Sequence, residues 1–82
     1  MYIGNKGENM KLIITRLNNK LKDLNSPLIE VIGDRYIIEN TLLNYLYHNN
    51  IDLLDDMFEE ACSNTNKFIE LKSPCEIGIY NI

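Results

Sequence analysis

The chain has 82 residues, 45% of them hydrophobic, and carries 12 acidic against 8 basic side chains for a net charge of −4. That describes one small domain, too apolar for a disordered chain and without any apolar run near the ~20 residues of a membrane span. The acidic balance counts against a free-standing nucleic-acid binder, which usually shows a basic face.

Residues 1–9 contain Gly4, Gly7, Asn5 and Asn9 and show no periodicity. They read as a flexible or edge-strand lead-in, with the domain itself over residues 10–82. Met10, Ile13, Ile14, Leu17, Leu21 and Leu24 then recur at spacings of three and four, the stripe of an amphipathic helix. Asn9 is its expected N-cap, and Asn25-Ser26-Pro27 ends it. Lys11–Thr15 has some β-branched character, but the stripe runs on well past Ile14 and favours helix.

Leu28–Ile32 and Arg35–Glu39 flank Gly33-Asp34, the pattern of a hairpin with Gly33 at the positive φ of a type II′ turn. Asn40-Thr41 is the expected cap of a helix with Leu42, Leu43, Leu46 and Tyr47 on its inner side. Asn49-Asn50 breaks that helix. Asp52 is the expected cap of the next, whose inner face is Leu53, Leu54, Met57, Phe58 and Ala61, and Ser63–Asn66 ends it. Phe68–Leu71 and Glu76–Tyr80, joined by Lys72-Ser73-Pro74-Cys75, predict a second hairpin. The sequence therefore predicts a small α+β domain of order α-ββ-α-α-ββ. Its four strands would form one antiparallel sheet with about three helices packed on a face.

Charge is unevenly placed. Residues 36–66 carry six acids and no Lys or Arg. Five of these acids, Asp52, Asp55, Asp56, Glu59 and Glu60, fall on one face of a helix, opposite its apolar side, with no Lys at i+4 to offset them. The bland reading is a solvated helix face. The sharper one is a partner-binding surface for a basic protein: carboxylates spaced along a rigid helix resemble phosphates along a backbone, and clustered charge speeds encounter with a cleft of opposite sign. Lys11, Arg16, Lys20 and Lys22 lie on the outer side of the first helix, but no RNA-binding aromatic motif accompanies them. Tyr36, Tyr45 and Tyr47 read better as sheet or core residues.

Catalytic and metal chemistry find little footing. His48 with Cys62 or Cys75 is a conceivable Cys–His pair, but His48 also suits a helix C-terminus with no other role. These three residues are one ligand short of structural zinc and lack close CxxC pairing. Asp52, Asp55 and Asp56 do not follow an EF-hand pattern, and no glycine-rich phosphate loop is present. No enzyme, cofactor or metal site is expected. Two cysteines and the lack of a charged-then-apolar leader favour a cytoplasmic protein with free thiols, with a Cys62–Cys75 disulfide as the open alternative.

No motif identifies a family. Twelve Asn and twelve Ile beside one Ala, one Val and no Trp are the usage of an AT-rich genome. In size, acidity and this bias the chain resembles small phage-encoded inhibitors of host defence nucleases, anti-CRISPR proteins among them. The resemblance lies in composition and carries no residue pattern. It implies a non-enzymatic inhibitor whose acidic helix face occupies a nucleic-acid-binding surface of a host protein. The alternative is a homodimeric structural or regulatory module, since so small a core leaves apolar surface and hairpin edges to cover.

Overall fold

A computed structural model describes residues 6–39 and 42–82. The elements are α1 (Lys6–Asp23), β1 (Glu30–Ile32), β2 (Arg35–Ile37), α2 (Leu42–Asn49), α3 (Ile51–Ala61), β3 (Lys67–Ser73) and β4 (Glu76–Asn81). The order is the expected α-ββ-α-α-ββ. The four strands form one antiparallel sheet in the order β1-β2-β4-β3, so β2 and β4 are central and β1 and β3 are edges.

The first helix starts earlier than its apolar stripe. Asn9 lies inside α1 rather than at its N-cap, and residues 6–9 are helical. The rest of the expected lead-in, residues 1–5, lies outside the described residues, as does the Asn40-Thr41 cap. At the other end, Ser26 N–H donates to the Leu21 carbonyl and Asn25 N–H to that of Lys22, with Asn25 at φ 56°. This is a Schellman motif with asparagine in the left-handed position. It places Leu24 at the C-cap, exposed rather than on the buried stripe.

The first hairpin forms as expected. Ile32 pairs with Arg35, and Gly33 takes φ +64° while Asp34 does not share a positive φ, the signature of a type II′ turn. The ladder is short, and its flanks are tied down separately. Ile29 N–H donates to Asn18 Oδ1 (2.8 Å), and Ile38 N–H donates to the Cys75 carbonyl (2.9 Å). Both side chains are buried.

Asn49 and Asn50 separate α2 from α3. Asn49 Nδ2 donates to the Tyr45 carbonyl (2.9 Å), while Asn50 Oδ1 accepts from Leu53 N–H (3.3 Å). Asn50, not Asp52, is thus the N-cap of α3; Asp52 sits in the first turn, where a carboxylate suits the helix dipole. The second hairpin turns tightly at Pro74-Cys75, with Ser73 opposite Glu76 and a bulge at Lys72.

The core lies between the three helices and one sheet face. Ile13, Leu17, Leu21, Ile38, Leu43, Leu54 and Ile77 are its most completely buried large side chains, each worth about 1.5–3 kcal/mol of transfer free energy. Two expected inner residues point out instead: Tyr47 and Leu53 are exposed. Tyr45 is exposed as well, whereas Tyr36 is half-buried against the core. No helix among the described residues is long and apolar enough to cross a membrane.

Candidate functional site

The five predicted carboxylates are all exposed along α3, but they do not act as one group. Glu60 faces α1, where Lys20 Nζ meets its Oε1 at 2.5 Å. The hydrogen bond and charge of Glu60 raise the Lys20 pKa above its ordinary value. The same side of α1 supplies Arg16, whose guanidinium donates to the carbonyls of Ala61 and Ser63. The α3 C-terminus holds no cation in its own last turn, so α1 provides the charge that end requires. Sequence periodicity within α3 could not show this compensation, because it comes from residues forty or more positions away.

Asp52, Asp55, Asp56 and Glu59 have no ion-pair partner among the described residues. Asp55 and Glu59 also border an open groove between α3 and the edge strand β3. Its larger part, of about 460 Å³, is lined by Tyr47, Ile51, Leu54, Asp55 and Phe58 from the helices and by Ile69, Glu70 and Leu71 from β3. A second part of about 360 Å³ continues past Asp55, Phe58 and Ile69 to Glu59, Cys62 and Lys67. The groove thus has an apolar floor with the Asp55 and Glu59 carboxylates on its α3 wall. Tyr47, which sequence reasoning placed in the core, belongs to this groove.

The single lysine at its end is not a free cation. Lys67 is buried on the inner side of β3, and its ammonium donates to Asn81 Oδ1 on β4. Burying a lysine demands such a partner.

Comparison with known protein families, with curated proteins and with solved structures returns no match. The site's own geometry therefore carries the functional reading.

That geometry gives the cysteines and histidine little chemistry. Both thiols are free. Burial pushes the Cys62 thiol above its ordinary pKa, with the Arg16 charge opposing only in part. This is the reverse of an activated nucleophile, which sits exposed near positive charge. His48 is exposed in the last turn of α2, its ring edge-to-face with Tyr47 at 5.2 Å between centroids. No group of three or more metal-ligating side chains occurs among the described residues.

The sheet face opposite the helices is uncovered. Ile32, Phe68 and Tyr80 are exposed there, beside the Arg35–Glu76 ion pair at 2.9 Å.

Proposed function

We propose that the protein is a non-enzymatic binding module that docks the α3 carboxylates on the basic surface of a partner protein. The observation that carries this reading is the set Asp52, Asp55, Asp56 and Glu59, exposed on one rigid helix with no partner among the described residues. Like charges so close together raise the free energy of the unbound helix, and a basic surface relieves that cost on binding. Such surfaces belong most often to proteins that hold nucleic acid. The chain's compositional likeness to small phage inhibitors points the same way, to a partner whose nucleic-acid site is blocked. Glu60, already paired with Lys20, contributes least.

The test is a pull-down from nuclease-treated lysate of an AT-rich bacterium, with the natural chain and a D55K/D56K/E59K chain as baits. A nucleic-acid-binding protein retained by the natural chain alone supports the proposal. The same proteins on both baits would sink it.

A second reading draws on the uncovered sheet face. Ile32, Phe68 and Tyr80 would meet a second copy and form a homodimer. A single monomeric mass at micromolar concentration rules against it.

A further inference from the structure

The free edge of β3 borders the acidic groove, and its backbone polarity can be read from the register. Ile82 N–H donates to the Asn66 carbonyl (2.9 Å). Continued through the pairs Lys67↔Asn81 to Leu71↔Ile77, that bond makes Phe68/Tyr80 and Glu70/Gly78 the hydrogen-bonded pairs. The N–H and C=O groups of Lys67, Ile69 and Leu71 then point away from β4, toward the free edge. Lys67 N–H is met by Thr65 Oγ1 (3.2 Å). Ile69 and Leu71 border the groove with both of their backbone groups turned to the unpaired side. The bulge at Lys72 ends the regular edge just beyond them.

Resting on the reading that the α3 carboxylates dock a basic partner, we propose that this partner enters as an extended basic segment. The segment adds as a fifth strand along β3. Its backbone pairs with Ile69 and Leu71, which supply four groups otherwise left to solvent at a groove wall. On its helix-facing side the added strand carries Lys or Arg, whose aliphatic stems lie over Phe58 and Tyr47. Their charged heads reach Asp55 and Glu59 on α3, and the alternate, aliphatic or aromatic side chains extend the outer sheet face beside Phe68. A strand's period of two sets the pattern of such a ligand: Lys or Arg alternating with aliphatic or aromatic residues. The same charges exclude a second copy of this chain as the occupant. Pairing β3 with another β3 would bring two sets of carboxylates together.

The experiment uses an array of peptides about eight residues long, enough to span β3, that alternate Lys or Arg with Val, Ile, Leu or Phe. Block-scrambled peptides of the same composition serve as controls. The natural chain binds alternating peptides in preference to blocks, and D55K/E59K loses them. Methylating backbone nitrogens of one parity weakens the best binder about tenfold or more, the loss expected when a backbone hydrogen bond is removed, while the other parity is tolerated. The Ile69 and Leu71 amides become protected from hydrogen exchange in the complex. Three outcomes overturn the proposal. Peptides that never bind, or that bind D55K/E59K equally, remove its basis. Protection of those amides by self-association of the chain replaces the basic segment with a second copy. Binding that needs Asp55 and Glu59 but ignores methylation parity and leaves the Ile69 and Leu71 amides unchanged refutes strand addition and leaves the docking role of α3 standing.

Discussion

Arg16 on α1 donates from Nη1 to the Ser63 carbonyl at 2.6 Å and to the Ala61 carbonyl at 3.2 Å, joining the middle of the first helix to the end of the third. Carbonyls at a helix C-terminus have no intrahelical donor and carry the negative end of the dipole. Glu59 and Glu60 add further negative charge at that end, so the guanidinium neutralises the least favourable point of α3. Arg16→Met, which keeps the apolar stem, should lower stability by about 1–2 kcal/mol. Lys20→Met, which loses only an ion pair between exposed side chains, should leave the urea midpoint nearly unchanged. Equal effects of the two substitutions would contradict the capping role.

The left-handed Asn25 makes a second, local prediction. At φ 56° an alanine is strained by about 1 kcal/mol, whereas glycine is not. Asn25→Ala should therefore lower the melting temperature, and Asn25→Gly should match or exceed the natural chain. Thermal unfolding followed by circular dichroism at 222 nm, the usual helical band, decides the order.

The Arg35–Glu76 pair predicts a dependence on pH. Arg35 donates to both carboxylate oxygens, Nε to Oε2 at 3.2 Å and Nη2 to Oε1 at 2.9 Å. This hydrogen bonding, with the charges of Arg35 and Lys72, holds the Glu76 carboxyl below its ordinary pKa against the opposing effect of burial. In the unfolded chain the group returns to about 4.3. The pair's stabilisation is therefore complete above that pH and is lost as pH falls through the lower, folded value. Urea midpoints measured from neutral to acid pH should show the natural chain above Glu76→Gln at neutrality. The gap should close on acidification. A constant gap would show that the carboxylate's charge is not what matters.

On the outer sheet face, the Phe68 and Tyr80 rings sit 5.5 Å apart at a tilt, and the Tyr80 ring lies over Gly78. Cross-strand aromatic pairs couple by about 0.5–1 kcal/mol. A double-mutant cycle with Phe68→Ala and Tyr80→Ala should recover a coupling of that size. Strict additivity would show the rings to be independent.

The fold was largely legible because its elements are separated by strong local signals. Gly33-Asp34 marks a two-residue turn, Asn25 ends α1, and the stripe Ile13, Ile14, Leu17, Leu21 has a single helical solution. The errors arose where local pattern meets tertiary context. Asp52 and Asn50 are both good caps, and only the backbone geometry chooses Asn50. Tyr47 and Leu53 have the right spacing for the core but lie at its rim, Tyr47 lining the groove beside β3. The acidic face was visible in outline from the spacing of residues 52–60. Its division was not: the pairing of Glu60 with Lys20 and the alignment of Asp55 and Glu59 with β3 depend on long-range packing.

The most direct test of the central claim is an affinity titration against the protein captured by the natural chain, with D55K/D56K/E59K as the variant and a DNA or RNA oligonucleotide as competitor. The account predicts that triple reversal abolishes binding while circular dichroism shows an unchanged fold. It also predicts that the oligonucleotide displaces the natural chain and that added salt weakens the complex. Unchanged affinity of the triple variant would contradict it and reduce the α3 carboxylates to a solvated helix face.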